Sequence, residues 1–169
     1  MTEHSKHRPV IRLTLSPVEV VLEVLAGAGL VWMLGTVVFS WSSLPESVPS
    51  YFGAGGEPDA WGPKWSFLVL PLVGVALFVG LTLLSRFPHR YNYPWPITPD
   101  NVERQYRLAR AFLTLLKAEV VWFFGYLKME TVEVAHHRSD GLGQEFLPIF
   151  LLITFGSIGL YFFISYRTR

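Results

Sequence analysis

The residues with chemistry to offer fall into two groups. One lies in the stretch GGEPDAWGPK, where Gly56, Glu57, Pro58, Asp59, Trp61 and Lys64 stand close together. An ordered loop of this kind can carry recognition, and Glu57 and Asp59 with Glu133 or Asp140 from a later loop could hold a hard cation through oxygens, though nothing in the spacing demands it. The other group is Glu19, Glu23, Arg107, Arg110, Lys117 and Glu119, ionisable residues set in or beside apolar runs. A charge at membrane depth costs about 2.5–3.5 kcal/mol on insertion scales, so it must face protein or water. Each such residue is a candidate for a helix-orienting ion pair or for an ion or proton path.

Other chemistries find little footing. His136 and His137 are adjacent, and in an extended segment they point to opposite sides, which disfavours one metal taking both. VEVAHH alternates weakly and reads as a short strand against the other polar loop. Ser40, Ser42 and Ser43 have no base beside them. GAGGEPD lacks the Lys-Ser/Thr and the helix start of a phosphate loop. The chain has no cysteine and a net charge of +1, which excludes thiolate sites and argues against nucleic acid as a partner. No catalytic residue, metal or cofactor is expected, and the chain does not read as an enzyme.

These residues need a frame, and the composition supplies one. Hydrophobic residues make up 51% and charged residues 16%, against about 25% charged in a soluble domain. A bilayer core needs about 20 apolar residues of helix, and four stretches qualify: 17–41, 65–85, 102–127 and 146–166. Ser16 and Pro17 open the first as N-cap and first helical position. The first run is too long for a signal peptide and reads as a retained span. Asp100 with Glu103 reads as a capping box for the third. Trp41, Trp61, Trp65, Tyr91, Tyr93, Trp95, Tyr126 and Tyr166 cluster at the ends of the runs, as an interfacial aromatic belt does. The expected fold is all-α, an integral membrane protein built as one four-helix bundle over 1–169, with an ordered loop cap on the outer side.

In the third run Glu103, Arg107, Arg110, Thr114, Lys117, Val121 and Lys128 recur at helical spacing and form a basic polar stripe. Arg107 and Arg110 lie near the end and can snorkel. Lys117 is about ten residues inside, roughly 15 Å along the axis. Its partner is left open between freed backbone carbonyls and an acid. Glu119 falls on nearly the opposite face. Spans one and three run parallel, and Glu19 and Glu23 share a face of span one, so Glu23 is expected to meet Arg107 or Arg110. Small residues at 26–29, at Ala76 and Gly80, and at Gly156 and Gly159 are expected to admit neighbouring helices.

Lysine and arginine fix the expected orientation. Lys6, Arg8, Arg12, Arg86, Arg90, Arg104, Arg167 and Arg169 fall in the tails and middle loop, against Lys64, Lys128 and Arg138 in the other two loops. Eight against three places both termini and the 86–104 loop in the cytoplasm, with the chain multi-pass in the cytoplasmic membrane. The proline- and aromatic-rich 86–104 loop suits the headgroups or a cytoplasmic partner.

The outward loop LPESVPSYFGAGGEPDAWGPK carries the densest pattern. Its prolines favour extended entry at 44–51, its glycines allow positive φ, and EPDAWG reads as a turn. Lys64 is placed to pair with Glu57 or Asp59, with Trp61 and Trp65 at the interface. The order of Leu44, Pro45, Val48, Pro49, Phe52, Gly56, Glu57, Pro58, Asp59, Trp61, Gly62 and Lys64 resembles the signature of the SdpI-like immunity proteins, small multi-span membrane proteins sharing a domain of unknown function. The family often has histidine before the phenylalanine, where this chain has Tyr51. The resemblance implies a protein whose outer loops meet an extracellular ligand such as a peptide toxin. The alternative is a small transporter or ion path through Glu23, Lys117 and Glu119.

Overall fold

A computed structural model describes residues 8–11 and 13–169. Lys6 and Arg12 of the basic tail lie outside the described residues. Four helices and one hairpin follow in order: α1 Pro17–Ser40, strands β1 Ser47–Phe52 and β2 Pro58–Pro63, a 3-10 segment Lys64–Leu68 continuing into α2 Val69–Leu84, then α3 Val102–Ala135 and α4 Phe146–Arg167. The protein is an all-α integral membrane protein with a small sheet as its cap. Three helical stretches are long and apolar enough to cross a membrane: Pro17–Ser40, Lys64–Leu84 and Phe146–Arg167. The fourth helix, α3, is the polar one, and the other three pack around it.

Local chemistry accounts for most of the helix ends. Ser16 caps α1 through a capping box with Glu19, and Pro17 follows at the first helical position. The third helix differs from expectation. Its N-cap is Asn101 and no side chain caps it. Asn101 instead closes the preceding turn, accepting from Thr98 N and donating to Pro96 O, while Glu103 is taken by Arg107. α3 also runs beyond position 127 to Ala135, so VEVA is its last turn and no strand forms there.

α1 and α3 run parallel, seamed by glycine. A Cβ at Gly29 would lie 2.8 Å from the Trp122 ring, and one at Gly125 would lie 2.7 Å from Trp32. The two tryptophan rings meet at 5.1 Å, and Trp122 Nε1 donates to Leu25 O at 3.0 Å. Gly74 gives α2 the same close approach to Met33 and Phe124. The expected small-residue contacts at Gly80, Gly156 and Gly159 do not occur: nothing stands within 4 Å of a Cβ there. These glycines face outward, and α4 is held instead by aromatic stacks, Phe123 on Phe150 at 3.9 Å and Phe112 on Tyr161 at 4.4 Å. Near the chain's C-terminal end, Gln105 and Ser165 exchange hydrogen bonds, Nε2 to Ser165 O at 2.9 Å and Ser165 Oγ to Oε1 at 2.8 Å.

The two ends of the bundle have different architectures. At one, the N-terminal segment, the 86–101 loop and the C-terminus gather. Tyr93 stacks on Tyr106, Arg8 lies over Tyr93, and Arg169 over Trp95. Burial pushes the Tyr91 phenol up to about 12 and that of Tyr93 higher still. Both therefore stay neutral donors, to Leu84 O and Pro88 O. At the other end sits the hairpin. EPDAWG, expected as a turn, is mostly strand β2; the turn is Gly53–Glu57, closed by Gly53 N to Glu57 O at 2.8 Å.

Candidate functional site

Two sets of polar residues stand out, one among the helices and one beneath the hairpin. In the first, the polar stripe of α3 turns inward: Arg110, Thr114, Lys117, Val121 and Lys128 are buried. Glu19, not Glu23, meets Arg110. The guanidinium grips both carboxylate oxygens, Nη2 to Oε2 at 2.9 Å, and also donates to the carbonyls of Leu13 and Thr14. Glu23 sits one turn further along α1 and pairs with Lys117, Nζ to Oε2 at 2.6 Å. The expected contact of Glu23 with Arg107 or Arg110 is thus displaced by one turn, because Arg110 is drawn toward the chain that precedes α1. Arg107 bonds Glu103 and Thr14 O outside the bundle. Lys117 is further tied to Thr82 Oγ1 at 2.9 Å and lies over Phe78.

Glu119 faces the other way, as its spacing from Lys117 requires. Its two carboxylate oxygens are buried without a hydrogen-bond partner among the described residues, beside an apolar groove lined by Leu22, Trp122, Phe123 and Phe150. The structure therefore does not bring Glu119 to Glu23 and Lys117.

The second set is built on the hairpin. Antiparallel pairing runs from Ser47 opposite Pro63 to Phe52 opposite Pro58. Pro49 pairs with Trp61 and Tyr51 with Ala60, so Ser50 has no residue opposite it; further on, Asp59 has none. Such bulges leave the extra residue outside the ladder and re-aim its groups. The carboxylates of Asp59 and Glu57 converge on Gly53, where a Cβ would lie 2.7 and 2.8 Å from their oxygens. Lys64 does not join them. It lies at the base of β2, several strand residues from the tip at about 3.3 Å each, and its ammonium covers the Trp41 ring at 5.1 Å. Trp61 and Trp65 are exposed.

The hairpin tip is locked to the α3–α4 loop by glycines. Gly56 has φ 89° and its carbonyl accepts from Leu142 N at 2.8 Å. A Cβ at Gly56 would meet Gly143 O at 2.9 Å, and one at Gly141 would lie 2.1 Å from Gly56 O. Tyr126 Oη donates to Leu142 O, holding this loop from below.

Beneath that junction lies a cavity of about 360 Å³, within the range of about 300–1,000 Å³ usual for small-ligand sites. Ser50, Gly53 and Gly56 roof it, Phe123, Leu127, Lys128 and Thr131 of α3 floor it, and Ser66, Leu70 and Phe146 close the sides. Two polar groups here lack partners. Lys128 is 6% exposed; its ammonium lies 4.6 Å from the centre of the buried Phe67 ring, and no carboxylate pairs with it among the described residues. Ser66 Oγ is buried, 3.2 Å from where a Cβ at Gly62 would stand, with no hydrogen-bond partner among the described residues. Sequence reasoning had Lys128 on the polar stripe but did not single it out as a site residue. It missed Ser66 altogether. The available signal was a lysine near the end of a polar helix, beside a loop dense in turn residues.

The hairpin is also where the known relatives meet this chain. Residues 28–75, from mid-α1 through the hairpin into α2, match the model of a domain of unknown function, DUF1648. Over 150 residues the chain is 30% identical to an uncharacterized protein of Archaeoglobus fulgidus, an alignment spanning 82% of this chain and 81% of that one. The chain belongs to the same family as that archaeal protein. No solved structure matches it.

Proposed function

We propose that this is a ligand-recognition protein of the cytoplasmic membrane, of immunity or sensor type, with both termini cytoplasmic and the hairpin outside. The observation that carries this reading is the cavity beneath the hairpin, with Lys128 at its wall and no carboxylate paired with it among the described residues. A lysine this buried with a ring but no carboxylate beside it is costly in a purely structural role; a ligand that pairs with it removes the cost. The glycine-locked roof is ordered by local geometry, and a preorganised site loses little entropy on binding. The basic tails and middle loop support the orientation. The resemblance of the LPxxVPxxF and GEPDxWGxK pattern to SdpI-like immunity proteins supports an exported peptide as the ligand.

The transport alternative has less behind it. Glu23 and Lys117 neutralise each other, and Glu119 stands apart from them beside another groove, so the three do not line one shared path.

The test is a cavity-filling change, Leu70→Trp, in a strain lacking the native gene and exposed to its own spent growth medium. Wild-type protein should restore growth, and Leu70→Trp should not at equal folded amount. Equal protection per folded molecule would remove the cavity from the function.

A further inference from the structure

The donors left free at the cavity define what it takes. Gly53 N and Gly56 N are spent inside the turn, and Leu142 N is spent on Gly56 O. Thr131 Oγ1 donates to Leu127 O. Among the described residues that line it, the Lys128 ammonium is the cation, and the Ser50 hydroxyl and Gly143 N make no hydrogen bond. That set matches a monoanion with two acceptor oxygens. A phosphate carrying nearly two charges would need more cations than the wall offers. The surfaces around these donors, Val69, Leu70, Phe123, Leu127, Phe146 and Leu147, are apolar. The roof is main chain, and the bulge at Ser50 leaves that residue's backbone outside the β-ladder. Free backbone groups suit a peptide and have nothing to offer an acyl chain.

We infer that the cavity holds the carboxyl terminus of an apolar peptide, its carboxylate on Lys128 and its last side chain against Leu70 and Phe123. This rests on the cavity being the ligand site proposed above. It adds which end of the ligand enters and which residues read it. The last side chain confers affinity by burial, and the ammonium confers the choice of a free acid over an amide.

The test needs no native ligand. A fluorescein-labelled, N-acylated pentapeptide ending in leucyl-phenylalanine is prepared as the free acid and as the C-terminal amide. Each is titrated against the full-length protein in detergent micelles, followed by fluorescence polarisation. The acid should bind about tenfold or more tightly than the amide, as loss of a charge-assisted hydrogen bond implies. Lys128→Met should abolish that preference while leaving weak binding of both forms. Equal binding of acid and amide to wild type overturns the inference, and so does binding of neither. Decanoate that binds in a Lys128-dependent way where the peptide acid does not would assign the site to acyl carboxylates, which also overturns it. If acid and amide bind equally but Leu70→Trp blocks both, the proposed ligand site stands and only the carboxylate reading falls. If the peptides discriminate as expected but Leu70→Trp protects cells normally, the carboxylate reading stands and the proposed function falls.

Discussion

The Lys117 ammonium lies 2.6 and 2.8 Å from the two carboxylate oxygens of Glu23, joining α3 to α1 within the bundle. The two ends of this pair are unequal. The Lys117 side chain is 1% exposed and that of Glu23 32%, so stranding the lysine is the worse injury. Glu23→Gln should lower stability by about 3 kcal/mol, the low end for breaking a buried pair, whereas Lys117→Met should cost clearly less. The double variant should cost less than the sum. Denaturant titration in micelles measures all three, and strict additivity would rule out the pair as an energetic unit.

Arg110 works differently, because its planar fork serves Glu19 and two backbone carbonyls together. A lysine there keeps the charge and loses the fork. Arg110→Lys should therefore cost about 2 kcal/mol, a charge-assisted hydrogen bond or more. A melting midpoint unchanged from wild type would show that charge alone suffices.

The geometry ranks three glycine substitutions, two at the hairpin junction and one within α4. Gly141→Ala should be the most damaging, since its Cβ would sit 2.1 Å from a backbone oxygen at a φ of 151°. Gly143→Ala meets no atom within 4 Å and carries only the strain of φ 79°, about 1–2 kcal/mol. Gly156→Ala, in open space within a helix, should be neutral or stabilising by up to about 1 kcal/mol. Thermal unfolding of the three single variants tests the order, and any reversal contradicts the contact described.

Orientation is open to direct labelling, because the chain has no cysteine. Ser50 on the hairpin and Asn92 in the opposite loop are both exposed. With single cysteines at each, an impermeant thiol reagent should label intact cells only at position 50. Labelling at 92 alone would invert the topology and place the cavity in the cytoplasm.

The residues show why some of this was legible in sequence. α1 announced itself because its signals are local: Ser16, Pro17 and Glu19 lie within one turn and cap one another. The parallel course of α1 and α3 followed from counting spans. The register between them did not, since whether Glu23 meets Arg110 or Lys117 depends on how far the Leu13–Thr14 carbonyls draw Arg110 toward them. That is a tertiary fact with no local trace. Lys64 misled because nearness in sequence is undone by a strand, which carries its ends apart. Gly80, Gly156 and Gly159 carried the composition of packing glycines without a neighbour to pack, whereas Gly29 and Gly125 had Trp122 and Trp32 opposite. The cavity could not be read from sequence because its roof, floor and sides come from four separate stretches of the chain.

The glycine junction also bears on the order in which the protein can be completed. The hairpin is encoded early, between the first two helices, and a lone two-stranded hairpin is marginal in water. Its clasp, Gly56 O to Leu142 N, joins it to a loop synthesised some 85 residues later, a delay of about 4–17 s at usual synthesis rates of 5–20 residues per second. During that interval the roof has been made and has nothing to close against. The cavity is thus completed late in biogenesis: a nascent chain stopped at the end of α3 carries the whole DUF1648 segment but has neither the Leu142 clasp nor the Phe146 wall.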